Sequence, residues 1–413
     1  MWAINFHRVT PHPKHRHFAP TTTAISISID WFWRRRHCPS WTDLHPELVG
    51  LVLRRLPSFA DRVRLGAVCR SWRRVARQEP LPPPLPWLTL LDGSFISIPS
   101  GEIHRMHVPN DVFIHGSVGQ WLLLRRLSGK LELMNPFSKN VIKLPKSANP
   151  CPTNSILYKL VSLSTPQDLS LNSLFVVLTT SMVFKSVISI CRPSASIAFR
   201  VPDGEIRDII FCDGKLYALS SNKLFVLEIG SSYQGKPSIS SMKCVSYSVK
   251  NVMIDRSIDD KSYHCVYWSY LAEYNGKLFQ VRRLVGFLST LPTKDRIKNT
   301  RTFSFEILEL DMTINSPNKW RRLDTLGDQA LFVGTNTKFL PASECGAQKD
   351  CIYFVCDDEH GIWDADLFRD SGVFNMRNGT ITPLLLDKPF VRPRGYGGCP
   401  TWFFPTALYS SIV

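Results

Sequence analysis

The segment 41–77 restricts the fold of this chain more than any other, because its pattern of apolar and polar residues predicts short amphipathic helices. It reads WTDLHPELVGLVLRRLPSFADRVRLGAVCRSWRRVAR. Pro46 and Glu47 suit the first turn of a helix, which tolerates proline and favours an acidic side chain. The first helix is then apolar over more than half of its circumference, at Leu48, Val49, Leu51, Val52, Leu53 and Leu56.

Two further helices are predicted after the break at Leu56-Pro57. Ser58 and Asp61 have the three-residue spacing of a capping box and open the second helix, and a third, basic helix carries Trp72. Three short helices cannot bury enough apolar surface to be stable alone. A first helix that is apolar on more than one face also needs a cover. The segment therefore predicts a docking module rather than an active site.

These residues resemble the F-box, whose pattern is roughly L-P-x-E-L-L-x-x-I-L-x-R-L-P, then an aspartate, an apolar ladder and A-V-C-R-x-W-R. The matching positions are Leu44, Glu47, Leu48, Val49, Val52, Leu53, Arg55, Leu56, Pro57, Asp61, Leu65, Ala67, Val68, Cys69, Arg70, Trp72 and Arg73. One departure is His45, where a proline is usual, although Pro46 follows at once. A generic helical hairpin with leucines in its own core is the alternative interpretation.

The F-box resemblance implies a partner and a set of contact residues. F-box proteins dock on a SKP-type adaptor, which bridges them to a cullin ubiquitin ligase. The residues that the resemblance assigns to the adaptor are Leu44, Pro46, Leu48, Val49, Val52, Leu56, Pro57, Val68, Cys69 and Trp72.

Length and composition indicate an intracellular protein of more than one domain. Together with the F-box resemblance and the strand pattern described below, they predict an α+β multidomain fold, in which a small three-helix F-box is followed by an all-β propeller. The 413 residues suffice for one small and one large domain. The eleven cysteines are scattered singly, without a C-x-x-C pair or zinc-finger spacing, so neither disulfides nor a metal or other cofactor is predicted. No secretory signal is evident and no apolar run is long enough to span a bilayer. The expected location is the cytoplasm, the nucleus or both.

The net charge of +16 is concentrated at the N-terminal end. Residues 1–80 hold fourteen Lys and Arg against five Asp and Glu. Such a basic surface binds nucleic acid or steers an acidic partner. Because no nucleic-acid recognition motif accompanies the charge, a solvated helix face and a disordered leader are the favoured interpretation.

Two segments are predicted to be linkers or tails. Residues 1–40 are basic, rich in histidine and poor in acids, which indicates a disordered, dispensable leader. Without ordered ligands its histidines do not predict a metal site. Residues 80–86 read PLPPPLP, which cannot continue a helix and predicts a stiff spacer between an F-box at 41–79 and a second domain at 87–413.

From Trp87 onward the chain consists of sixteen or more short β-type runs separated by turn residues. Asp213-Gly214, Asn275-Gly276 and Asn378-Gly379 are tight hairpin signals. The phrase Gly-Lys-Leu recurs at 129–131, 214–216 and 276–278. So many short strands with an irregular repeat predict a β-propeller of five to seven blades rather than a sandwich.

A second resemblance covers this region. The stretches PPPLPWLTLLDGSFISIPSGEIHRM and GQWLLLRRLSGKLELMNPFSKNVIKLP, and the closing block from Trp320 to Pro405, are similar to a plant family that joins an F-box to a kelch-like propeller of the KIB type. That family implies a substrate-recruiting subunit of an SCF-type ubiquitin ligase, in which the propeller is the receptor. It does not imply a particular target protein.

The sequence offers little support for catalysis. The densest acidic set could supply oxygen ligands to calcium, but Arg369 stands where an EF-hand loop needs glycine, so an acidic loop is favoured; the set is Asp357, Asp358, Glu359, His360, Asp364, Asp366 and Asp370. Cys69 lies on an apolar ladder and lacks an activating neighbour. Most propeller tryptophans are expected in the core, whereas Trp363 lies among aspartates and is the candidate surface anchor.

Two functional classes remain open on the sequence. One is a non-catalytic adaptor that docks on the ligase through the F-box and holds a target protein with the propeller. The other is a binding or regulatory protein outside any ligase, for which nucleic acid at the basic surface is one candidate partner.

Overall fold

The computed structural model describes the residues on which the fold rests. These are 41–55, 65–78, 86–90, 93–98, 103–105, 108–109, 111–119, 121–136, 138–148, 155–163, 169, 173–181, 186–192, 195–200, 205–231, 237–247, 254–258, 261–292, 299–314, 316–357, 368, 370–384 and 400–404. Contacts divide the chain into two compact units, 1–45 and 46–413. In the first unit, Trp41–Asp43 forms a 3₁₀ turn, and the Leu44 amide donates to the Trp41 carbonyl at 3.3 Å.

The second unit begins with helices. Helix α1 spans Pro46–Arg55 and helix α2 spans Arg70–Gln78, and residues 65–68 are also helical. Helices α1 and α2 pack against each other. Residues 56–64, where the second of the three predicted helices would begin, lie outside the described residues, so the three-helix detail stays a prediction.

All the described strands lie at or beyond Trp87, in six sheets. Sheet 1 contains β1 Trp87–Thr89, β2 Ser94–Ile96, β3 Ile103–Arg105 and β26 Thr401–Phe403. Sheet 2 contains β4 Val112–Val118, β5 Trp121–Arg126, β6 Leu131–Met134 and β7 Val141–Lys143. Sheet 3 contains β8 Ser155–Ser162, β9 Phe175–Ser181, β10 Ser186–Arg192 and β11 Ala195–Arg200.

The remaining three sheets follow in chain order. Sheet 4 contains β12 Ile206–Cys212, β13 Lys215–Ser220, β14 Lys223–Ser231 and β15 Pro237–Tyr247. Sheet 5 contains β16 Ile254–Ile258, β17 Lys261–Tyr274, β18 Lys277–Leu288, β19 Arg301–Leu310 and β20 Trp320–Leu323. Sheet 6 contains β21 Gln329–Val333, β22 Lys338–Pro341, β23 Cys351–Phe354, β24 Gly372–Asn375 and β25 Ile381–Pro383. A 3₁₀ turn at Lys146–Ala148 and a short helix α3 at Ala342–Cys345 connect strands.

The six sheets are the blades of a six-blade β-propeller, within the predicted range of five to seven. Each sheet has apolar side chains on both faces, since successive strand residues point to opposite sides. Six of the described buried clusters lie between neighbouring sheets, one for each pair, and one of these joins sheet 6 to sheet 1. The cores therefore lie between blades.

The hairpin signals in the sequence correspond to real turns. Asp213-Gly214 and Asn275-Gly276 have positive φ at both residues, as a type I′ turn requires. The first turn joins β12 to β13 in blade 4, and the second joins β17 to β18 in blade 5. The recurring Gly-Lys-Leu phrase starts the third strand of blades 2 and 5 but the second strand of blade 4. The phrase thus marks a turn and not a fixed place in a blade.

The C-terminal strand closes the ring. Strand β26 pairs antiparallel with β1, with Trp402 opposite Leu88, and the hydroxyls of Thr89 and Thr401 lie 2.6 Å apart. The fully buried Trp402 ring donates from Nε1 to the Val333 carbonyl of blade 6 at 2.9 Å. The backbone carbonyl of Trp402 accepts a hydrogen bond from Ser117 Oγ of blade 2 at 2.8 Å. One residue of β26 thereby ties blades 6, 1 and 2 together.

This closure predicts a large effect for one substitution. Replacing Trp402 with alanine should lower the free energy of unfolding of the propeller by about 3–5 kcal/mol, the range for large-to-small changes at buried aromatic positions. Trp402→Phe, the matched control, keeps most of the packing and should lose less. Urea denaturation followed by tryptophan fluorescence measures both. Equal stability of the alanine variant and the parent would contradict the role of β26.

Candidate docking surface

Helix α1 presents two different apolar faces. Val49 and Leu53, spaced i, i+4, are 1% and 0% exposed. Leu48, Leu51 and Val52, spaced i, i+3, i+4, are 49%, 47% and 44% exposed. The first pair anchors the helix, and the second set, called here the docking stripe, is a row of aliphatic side chains in solvent. An exposed apolar row on one helix face is typical of a surface that a partner covers.

Local contacts hold the helical segment 65–68 against α2. The Arg73 guanidinium donates from Nε to the Gly66 carbonyl at 3.2 Å, and the Trp72 amide points at Cys69 Sγ at 3.4 Å. A Cβ at Gly66 would lie 3.5 Å from the Cβ of Ala76, so the two segments are in contact there. Val75 is the buried side chain of α2.

The structure places the ten sequence-predicted contact residues in different environments. Pro46, Leu48, Val52 and Val68 are exposed, whereas Cys69 and Trp72 are half-buried. Leu44, in the first unit, is also half-buried. Val49 is buried, so its side chain supports the helix and is not on the surface that the chain presents. Leu56 and Pro57 lie outside the described residues.

Sequence reasoning missed one exposed residue of this surface. Leu51 does not belong to the F-box pattern used for the prediction, yet it lies on the docking stripe and is about as exposed as Leu48. The i, i+3 spacing of these two leucines is the signal that finds it.

Two residues of the acidic set considered for calcium, Asp357 and Asp370, bind a cation that the protein itself supplies. The other five residues of that set lie outside the described residues. The fully buried Arg283 of β18 donates from Nη1 to Asp357 at 3.1 Å and from Nη2 to Asp370 Oδ2 at 2.8 Å. The other Asp370 oxygen accepts from the Thr302 amide at 2.8 Å. Asp370, close to the blade 6 strand β24, is thus fixed to strands β18 and β19 of blade 5. Within the described residues no group of three or more His, Cys, Asp or Glu side chains is placed to hold a metal ion.

The described propeller tryptophans and most of the described propeller cysteines lie in or against the cores, whereas Cys244 of β15 is exposed. Trp121 and Trp320 are buried and Trp268 packs against a buried cluster, whereas Trp363 lies outside the described residues. Burial raises the pKa of the Cys191 thiol to about 12 and contributes most to a pKa of about 11 for Cys212. Both thiols are protonated at neutral pH and so are poor nucleophiles.

Comparison with protein families matches both parts of the chain. Residues 41–81 match the F-box-like family, and residues 95–375 match the KIB1-4 beta-propeller. The chain belongs to the KIB1-4 beta-propeller family. Its N-terminal end carries an F-box-like domain, as the sequence pattern predicted.

Several proteins similar to this chain are F-box proteins of Arabidopsis thaliana. The putative F-box protein At4g22660 is 21% identical over 84% of this chain and 92% of its own length. The putative F-box protein At4g17565 is 22% identical over 85% of this chain and 92% of its own length. Among solved structures, BamB from Moraxella catarrhalis aligns over 71% of this chain and 86% of its own at 11% identity, with a TM-score of only 0.28. In the part of the chain that the structure describes, no helix is long and apolar enough to cross a membrane.

Proposed function

We propose that this chain is the substrate-receptor subunit of an SCF-type ubiquitin ligase. The observation that carries the proposal is the docking stripe, because three aliphatic side chains lie in solvent on a helix whose other apolar face is already buried. The F-box-like family of residues 41–81 supplies the partner: a SKP-type adaptor that covers the stripe and links the chain to a cullin. Such complexes act in the cytoplasm and the nucleus, and we place this protein there.

The propeller would hold the target protein in this scheme. Its six interblade cores fix the strands, and the loops that connect strands on such a scaffold generally carry recognition. The chain itself needs no catalytic group. It would raise the rate of ubiquitin transfer by proximity, since a tethered target reacts at a high effective concentration with the ubiquitin-loaded enzyme.

The docking role predicts a selective loss of adaptor binding. The triple variant Leu48→Ala, Leu51→Ala, Val52→Ala should bind a recombinant SKP-type adaptor at least about 100-fold more weakly, since interface hot spots contribute about 2 kcal/mol or more each. Its melting temperature should change little, because the three side chains are half exposed in the free chain. Isothermal titration calorimetry measures the affinity.

The matched control truncates three exposed aliphatic residues of the propeller, Leu127→Ala, Val141→Ala and Ile381→Ala. This control should bind the adaptor like the parent. An unchanged affinity of the folded docking-stripe variant would refute the proposal.

The proposed division of labour predicts the behaviour of a fragment from Trp87 to Val413. All described strands lie in this fragment, including the closing pair β1–β26, so it should fold alone and show strand but almost no helix by circular dichroism. It should bind the target yet not support its ubiquitination. Overexpression of the fragment in plant cells should therefore stabilise those proteins that the full-length chain depletes, as measured by quantitative proteomics. Faster loss of those proteins would contradict the two-part model.

A further inference from the structure

Helix α2 carries four arginines on one face. Arg70, Arg73, Arg74 and Arg77 have the spacing i, i+3, i+4, i+7, which places side chains on a single side of an α-helix. All four are exposed, and the helix, RSWRRVARQ, contains no acidic residue. We call this row the arginine stripe.

The part of the chain that the structure describes does not neutralise the arginine stripe. Arg73 donates from Nε to the Gly66 carbonyl, a neutral acceptor. Among the described residues, no carboxylate lies within ion-pair distance of the four guanidinium groups, whereas propeller arginines such as Arg126 and Arg282 have carboxylate partners. Like charges at i, i+3 and i, i+4 repel each other and destabilise an isolated helix. Carboxylates of a partner would remove that repulsion.

The surroundings of the arginine stripe indicate what kind of partner carries those carboxylates. Ala67 and Val68, immediately before α2, are exposed, and α2 packs on α1, which bears the docking stripe. A partner that covers this helix pair must offer aliphatic side chains as well as negative charge. A nucleic-acid backbone offers phosphates but no aliphatic surface, so an acidic protein surface fits better.

We propose that the arginine stripe is an electrostatic docking surface for an acidic face of the same adaptor that covers the docking stripe. This inference rests on the proposed function and adds the charge of the partner to it. Exposed ion pairs hold a formed complex only weakly, whereas rows of like charge steer diffusing partners and raise association rates by about 10- to 1,000-fold, so they tighten binding mainly through the association rate. The arginine stripe therefore sets how fast the adaptor binds, and the docking stripe sets how long it stays.

The test compares association rates of the full-length chain and its charge variants with a recombinant SKP-type adaptor. The triple variant Arg70→Gln, Arg74→Gln, Arg77→Gln removes three charges, and glutamine keeps a helix propensity close to that of arginine. The charge-matched control is Lys143→Gln, Lys146→Gln, Lys215→Gln, which removes three exposed lysine charges from the propeller. Stopped-flow fluorescence at about 50 mM and about 0.5 M salt gives the rates under weak and strong screening.

The arginine variant should associate about tenfold more slowly than the parent at low salt and at nearly the same rate at high salt. Its dissociation rate should change by less than about threefold, because exposed pairs hold a complex only weakly. The lysine control should match the parent at both salt concentrations. Equal association rates for the arginine and lysine variants at low salt would overturn the inference.

Two further outcomes separate this inference from the proposed function. If the parent chain binds the adaptor, but with a rate that salt does not change, the electrostatic inference fails and the proposed function stands. If the parent does not bind the adaptor at all, the proposed function fails. A fluorescein-labelled single-stranded RNA is the probe for the rival partner. Loss of RNA binding in the arginine variant, together with unchanged adaptor kinetics, would assign the stripe to nucleic acid and overturn the inference.

Discussion

Each sheet of the propeller has two apolar faces, and both faces are buried only if the ring of sheets is closed. Strand β26 makes this closure at the far end of the chain from its partner β1. Its neighbouring residues point in opposite directions: Trp402 enters the core between blades 6 and 1, and Phe403 enters the core between blades 1 and 2. One three-residue strand thus completes two of the six interblade cores, and the closed ring of blades depends on it.

The sequence predicted the class of this architecture but not its irregular parts. Alternating strands and turn dipeptides identified a propeller, because period-two patterning and type I′ turns are local properties. Strand β21 pairs in parallel with β23 and antiparallel with β22 on its other side. No local sequence pattern predicts this pairing, because it depends on contacts between separate segments. The ion pairs of Arg283 are also long-range. The pattern KLFQVRRLVGFL predicts the strand that carries Arg283, but its partners Asp357 and Asp370 lie more than 70 residues away in the sequence.

For the candidate docking surface too, the sequence predicts the helix but not which of its faces is buried. Apolar residues on more than one face of 46–56 predicted a helix that needs covering, and the F-box pattern named its partner class. Which face the chain covers itself depends on packing with α2, and only the structure assigns Val49 to the inside and Leu51 to the outside. The arginines of α2 were counted in the sequence as general basic charge. The structure places them on one face of the helix, where no carboxylate of the described residues pairs with them.

In the proposed scheme, the docking stripe on α1 connects the propeller to a ubiquitin ligase. The most direct measurement is affinity capture from plant cells followed by quantitative mass spectrometry, with the parent chain and the docking-stripe variant as paired baits. We expect peptides of a SKP-type adaptor and a cullin to dominate the parent capture and to fall to background for the variant, while proteins held by the propeller are captured equally by both. Capture of propeller-bound proteins without adaptor or cullin by the parent chain would contradict the account.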